Sequence, residues 1–221
     1  MRALYDERMK NLHNNLIEMG GYIEYSINTT IQALLKKDVN LAREVVAYDD
    51  VIDAKEKHIE KMCFELIMQQ QPVASDLRII SSALKMVTDM ERIGDQSADI
   101  AEISISLSKT AYIKQLDHIP KMAEAAVTMV KKAIDAYVKN DLKLAAEVIE
   151  YDDVVDAYFI NVRNDLVDLI KKDAKNCDQA LSLMMIAKYF ERIGDHAVNI
   201  AEWVVFALTG RHYYDKLQVI N

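Results

Sequence analysis

The sequence predicts an all-α fold: two tandem antiparallel three-helix bundles related by an internal repeat. Three observations carry this expectation. The 221 residues include only 5 Gly and 2 Pro, too few turn-formers for a sandwich or barrel. Apolar residues recur at three- and four-residue steps over long stretches. Two strings occur twice. Glu91-Arg92-Ile93-Gly94-Asp95 returns as Glu191-Arg192-Ile193-Gly194-Asp195, and Tyr48-Asp49-Asp50-Val51-Ile52-Asp53-Ala54 as Tyr151-Asp152-Asp153-Val154-Val155-Asp156-Ala157.

From about Tyr5 to Lys37 the chain reads as one helix, with Leu12, Leu16, Met19, Ile23, Ile27, Ile31 and Leu34 along one face. Gly20-Gly21 weakens it, by about 1 kcal/mol per Gly, and marks a kink or a close crossing. Asp38 is placed to cap a second helix carrying Leu41, Val45, Ile52, Ile59, Cys63 and Leu66. That helix stops at Gln71-Pro72, because proline disfavours helical geometry in the residue before it. A third helix runs to about Leu107 with the stripe Leu77, Ile80, Leu84, Val87, Glu91, Gly94, Ala98, Ala101, Ile105. Residues 109–119 lack periodicity and form a linker, and Pro120 can open a helix.

The second half copies the first. Asp152 follows Asp49 by 103 residues and Glu191 follows Glu91 by 100, so the loop before the last helix is three residues shorter. Asp141 takes the capping place of Asp38, and Met184, Ala187, Glu191, Gly194, Val198, Ala201 and Val205 repeat the stripe. Gly210 ends the last helix. The units are residues 1–108 and 120–210, with a polar tail at 211–221.

Composition excludes several classes. The net charge is −8 and no Lys/Arg run stands out, so no nucleic-acid footprint is visible. Cys63 and Cys177 are too few for a secreted disulfide framework and read as reduced cytosolic thiols. The N-terminus has no apolar signal region, and no stretch approaches the ~20 apolar residues of a membrane span. A soluble chain is expected, reaching a membrane only through partners.

The acids carry the functional signal. Residues four apart share a helix face, so Asp49/Asp53, Glu91/Asp95, Asp152/Asp156 and Glu191/Asp195 each project together. Glu91 and Glu191 fall where the stripe calls for a core residue, and a Gly follows each, giving room beside the carboxylates. If the second and third helices of each bundle are neighbours, four carboxylates converge in each half. Four like charges cannot stay ionised without compensation. Arg92 and Arg192, about 100° around the helix from the acids, are expected to face away, leaving a metal cation as compensator. Oxygen-only ligation suits Mg²⁺, Mn²⁺, Ca²⁺ or iron. His196 and Asn199 are additional candidate ligands in the second half, and Asp99 in the first. The competing reading is a carboxylate-bridged metal enzyme, but none of the five histidines follows a Glu by three residues, as di-iron bundles require. A third reading is a structural adaptor with solvated acids. Tyr48 and Tyr151 read as packing residues.

The doubled ERIGD, its upstream D-x-x-x-D and the segment Gln70-Gln71-Pro72-Val73-Ala74-Ser75-Asp76-Leu77-Arg78 together resemble the PhoU family, over about Leu12 to Leu208. The resemblance implies two three-helix bundles whose acidic motifs bind metal, in some members iron or zinc clusters; magnesium and manganese remain compatible. Carried onto this chain, the ligands are Asp49/Asp53, Glu91/Asp95, Asp152/Asp156 and Glu191/Asp195. It further implies a non-catalytic, cytoplasmic, commonly homodimeric repressor of the phosphate-starvation response. Such a protein contacts the sensor histidine kinase and the ATPase of the phosphate ABC transporter at the inner membrane face.

Overall fold

A chain this poor in helix breakers forms few, long helices, and its computed structural model describes residues 2–70, 72–114 and 116–213. Gln71, the expected stop of the second helix, and the tail from residue 214 onward lie outside the described residues. The helices are α1 (Arg2–Lys36), α2 (Val39–Gln70), α3 (Ala74–Leu107), α4 (Ile119–Lys139), α5 (Leu142–Lys172) and α6 (Cys177–Thr209). A short 3₁₀ turn, Ala174–Asn176, precedes α6. Among the described residues no helix is long and apolar enough to cross a membrane.

The two halves turn their first corner in the same way. Lys37 and Asn140, each just past a helix end, adopt left-handed φ of 55° and 53°. The next residue is an aspartate whose amide bonds back into the finished helix, Asp38 to the Ala33 carbonyl at 3.0 Å and Asp141 to that of Ala136 at 2.8 Å. The same aspartates cap the following helix. Asp38 Oδ1 accepts from the amides of Asn40 and Leu41, and Asp141 Oδ1 from those of Lys143 and Leu144. At the far end of the chain Gly210 closes α6 with φ 73°.

Helices α1, α2 and α3 pack together, as do α4, α5 and α6, and one continuous core joins all six. The joint is made by α3 against α6 and α1 against α4. Arg78 packs on Gly210, Asp89 bonds Asn199, and Asp99 is bonded by Tyr189. As residue number rises along α3 it falls equally along α6, so the two helices run antiparallel. Gly94 and Gly194 stand at the same level, halfway between the last two contacts. The two ERIGD strings therefore lie back to back across the centre of the molecule.

This joint explains a difference from the sequence reading. The predicted α3 stripe is only one flank of the buried surface: Leu77 is exposed, whereas Met86, Met90, Ile93, Ser97, Ile100 and Ser104 are buried. A helix packed on three neighbours buries more than one stripe. Its buried serines return their hydroxyls to the preceding turn, Ser97 to the Ile93 carbonyl at 2.9 Å and Ser104 to that of Ile100 at 2.7 Å. The linker is also held more firmly than its lack of periodicity implied. The Gln179 amide donates to Thr110 Oγ1 and the Ala111 carbonyl and accepts from the Ile113 amide, tying the linker to α6.

Helix α1 runs unbroken through Gly20-Gly21, and the two glycines differ in role. A Cβ on Gly20 would meet Ile134 Cδ1 of α4 at 2.6 Å, which makes this the close crossing of the two halves. A Cβ on Gly21 would meet nothing within 4 Å. Gly21→Ala should therefore stabilise the protein by about 1 kcal/mol through helix propensity alone. That corresponds to a rise of roughly 2–4 °C in thermal midpoint for a chain of this size. A fall would show that α1 needs the glycine for a purpose other than space.

Candidate metal centre

The first-half acids come together across the α2–α3 contact. Asp49, Asp53 and Asp95 each offer an oxygen within 4.8 Å of the others. Glu91 stands one turn before Asp95 on α3, its side chain only 15% exposed. The approach of α2 is set by Gly94, where a Cβ would meet Ile52 Cδ1 and Cγ2 at 3.0 Å and Asp49 Oδ1 at 3.1 Å. The glycine is what lets Asp49 lie against the α3 backbone. Tyr48, beside the acids, packs edge-on against Tyr22 and tilted against Tyr25, as a packing residue should.

The arrangement is electrostatically incomplete. Asp49 Oδ1 and Glu91 Oε2 are buried without a hydrogen-bond partner. Burial first, and then the charges of Asp95, Asp53, Asp50 and Asp99, push the Asp49 carboxyl up to about 6. Burial followed by Asp95 pushes Glu91 up to about 7, against a smaller opposing pull from Arg92. The gathered oxygens of Asp49, Asp53 and Asp95, with a buried Asp49 oxygen lacking a hydrogen bond, fit a hard divalent cation that these three would hold, with Glu91 one turn away as a fourth. A groove of about 390 Å³ opens beside them, walled in part by Asp95, Asp99 and Glu102.

The second half repeats the plan more loosely. A Cβ on Gly194 would meet Asp152 Oδ1 at 3.2 Å and Val155 Cγ1 at 3.5 Å. Asp152 is pushed up to about 6 by burial, then by Asp156, Asp195 and Glu191, so the four expected acids do share one neighbourhood. Asp156 and Asp195, however, are exposed, whereas Asp53 and Asp95 are half-buried.

One expectation is corrected, and two further candidate ligands are placed. Arg92 does not face away. Its Nη1 donates to Asp95 Oδ2 at 2.7 Å and its Nε lies 3.4 Å from Glu91 Oε2. A backbone direction 100° off the acids is recovered by a long side chain reaching residue i+3. His196 and Asn199 direct their hydrogen bonds to Asp89 of α3, at 2.8 and 3.1 Å, rather than to the second acid quartet. Both reach Asp89 across the antiparallel joint, His196 half-buried and Asn199 exposed. Their first-half counterpart Asp99 borders the groove beside Asp49 and Asp95 while bonded by Tyr189.

Other residues went unnoticed in the sequence. Glu56 lies close enough to raise Glu91 further, and the Lys188 ammonium bonds the Glu191 carboxylate. Helical spacing points to both, since Glu56 is three residues after Asp53 and Lys188 three before Glu191. Asp89 had no such signal, because its partners come from the other half.

A double helical bundle with a carboxylate quartet in each half defines a class of protein, and comparison with known proteins identifies its family. The PhoU domain profile matches twice, over residues 16–104 and 119–204. The phosphate-specific transport system accessory protein PhoU homolog of Clostridium acetobutylicum is 36% identical over 211 residues, covering 95% of this chain and 96% of that one. Its namesake in Zymomonas mobilis is 37% identical over 212 residues, covering 96% and 90%. The crystal structure of PhoU from Pseudomonas aeruginosa superposes with a TM-score of 0.89 at 33% identity, covering 94% of this chain and 100% of the other. The phosphate transport system regulatory protein PhoU from Streptococcus pneumoniae shares the fold at a TM-score of 0.86 and 23% identity, covering 94% and 98%. The chain belongs to the PhoU family.

The raised carboxyls set a pH dependence for metal-free protein. Asp49, Glu91 and Asp152 bind protons more tightly folded than unfolded. Their effect on stability is nil below their ordinary range near pH 4 and becomes a full penalty above about pH 7. Chelator-treated protein should therefore melt higher at about pH 5.5 than at about pH 7.5, and Asp49→Asn should flatten the difference. A higher melting point at the upper pH would contradict this electrostatic picture. Separately, Gly94→Ala should destabilise by about 1–2 kcal/mol as Ile52 and Asp49 are forced back, and Gly194→Ala by less, measured by denaturant midpoint.

Proposed function

We propose that this chain is a non-catalytic, metal-binding regulator of phosphate uptake and phosphate-starvation signalling. It works by contact with the ATPase of the phosphate ABC transporter and with the sensor histidine kinase, as a cytoplasmic homodimer held at the inner membrane face through those partners, and it represses the phosphate regulon. The observation that carries the regulatory reading is membership of the PhoU family across both halves. Relatives that match nearly end to end are named accessory proteins of the phosphate-specific transport system, not enzymes.

The metal half of the reading rests on the buried oxygens of Asp49 and Glu91 that lack a hydrogen bond, beside Asp53 and Asp95. A divalent cation bound there would supply the positive charge that the carboxylates of α2 and α3 lack. The oxygen-only donor set favours magnesium, manganese or iron, and zinc remains compatible. Because the carboxylates come from two helices in each half, occupancy is a direct means of changing how those helices sit.

Protein purified without chelators should carry metal by elemental analysis, and Asp95→Asn combined with Asp195→Asn should reduce it. Deleting the gene should leave alkaline phosphatase and phosphate uptake high in phosphate-replete cells. An unchanged metal content in the double variant defeats the site, and an unaltered phosphate response in the deletion defeats the regulatory role.

A further inference from the structure

The near-identity of the two ERIGD strings conceals a difference in what surrounds them. Around the first quartet stand two further acids, Glu56 and Asp99, both within electrostatic reach of it. Their counterparts in the second half are Phe159 and Asn199, and Asn199 is bonded to Asp89. Thr88 of α3 is replaced in α6 by Lys188. The Lys188 ammonium bonds Glu191, a carboxylate only 16% exposed, and lies 5.7 Å from the centre of the Phe159 ring. Lysine, glutamate and ring thus form one small unit in place of the Thr88, Glu91 and Glu56 of the first half.

Arg92 does not act on the first quartet in the same way. It bonds Asp95 and lies 3.4 Å from Glu91 Oε2 with its own side chain 55% exposed, and Lys57, 69% exposed, lies 3.4 Å from Asp53 Oδ2. Asp95 still shares the three-oxygen group with Asp49 and Asp53, and Glu91 Oε2 keeps no hydrogen-bond partner. Among the described residues no comparable three-oxygen group includes the second quartet.

We propose that Lys188 is a tethered competitor for the second acid quartet, so that the two halves take up a divalent cation unequally. The first half fills at the lower concentration, and the second fills only by displacing the ammonium from Glu191. The inference rests on the metal-binding reading above and adds an order of loading to it. The electrostatics favour that order twice over. The first quartet has more acids around it, and its Asp53 and Asp95 are more buried than Asp156 and Asp195, so that a cation there is screened less by water. At the second quartet the charge-assisted contact to be broken is on a largely buried carboxylate, Glu191, whereas the Arg92 and Lys57 contacts of the first quartet are on the more exposed Asp95 and Asp53.

The test is calorimetric titration of chelator-stripped, full-length protein with Mn²⁺, with free Mn²⁺ followed in parallel by electron paramagnetic resonance. Wild type should show a tight and a weak class of site. Asp95→Asn should remove the tight class and Asp195→Asn the weak one. Lys188→Thr, which installs the first-half residue, should tighten the weak class by roughly tenfold, the scale of one charge-assisted contact removed. Lys188→Arg, which keeps the charge, should leave it weak. Two equal classes in wild type, the reverse assignment by the Asn variants, or a weak class unmoved in a Lys188→Thr protein with unchanged circular dichroism would each overturn the inference. Wild type that takes up no Mn²⁺ at all would overturn the metal-binding reading as well, and so is told apart from failure of the loading order.

Discussion

The close approach of α2 to α3 at Gly94 is the constraint on which the site depends. Helix–helix spacing is set by what stands between the backbones, and at this level nothing does: Ile52 and Asp49 occupy the place a side chain would fill. A mid-helix glycine lowers helix stability by about 1 kcal/mol relative to alanine, so its presence at the matching place in both halves calls for a local return. That return is apolar packing by Ile52 together with a carboxylate held against a helix backbone. The second is unfavourable unless a cation joins it, and the fold therefore stores an electrostatic debt next to a well-packed contact. Val155 plays the part of Ile52 in the second half, at slightly greater distance.

The antiparallel joint of α3 and α6 sets where those two contacts lie relative to each other. With Gly94 level with Gly194, the first quartet lies at the α2–α3 contact and the second at the α5–α6 contact, while α3 and α6 pack on each other. Polar clamps flank the centre. On one side Asp89 accepts from His196 and Asn199; on the other Tyr189 donates to Asp99. The halves supply opposite partners to equivalent places, acid against imidazole and amide on one side, phenol against acid on the other. In this register position 89 meets the counterpart of position 99, and both are aspartate in the first half. Repeating them unchanged in the second half would set acid against acid on both sides, which Tyr189 and Asn199 avoid.

That distinction explains what was legible in the sequence. Helix ends were readable because their causes are local: Asp38 and Asp141 cap the helices that follow them, Pro120 sits in the first turn of α4, and Gly210 closes α6 in a left-handed turn. The acid pairs were readable because helical spacing alone puts residues four apart on one face. The full width of the α3 core was not, since Met86, Met90 and Ile93 are buried by helices from elsewhere in the chain. His196 and Asn199 were read as ligands because their neighbours are acids in sequence. Asp89, their actual partner, is distant in the chain and near only after the halves dock.

Arg92 and Lys188 show the limit of reasoning from backbone direction. Both are long, flexible cations within three residues of an acid on their own helix, and both turn toward it. Either contact alone resembles an ordinary surface pair worth well under 1 kcal/mol. Their setting raises the stakes, because Glu91 and Glu191 are largely withdrawn from water and an unpaired carboxylate there is costly. On the metal-binding reading, a cation on the chain and a cation from solution would compete for the same charge. Which one prevails depends on how many carboxylates each must satisfy. One ammonium satisfies one carboxylate, whereas a divalent ion can engage several at once, and it gains most where the oxygens are already gathered. The first half gathers them on Asp49, Asp53 and Asp95; the second holds Glu191 on Lys188 and leaves Asp156 and Asp195 exposed to water. The two quartets are similar in sequence, and on the loading order proposed above a few substitutions around them would give the two halves different thresholds for the same ion.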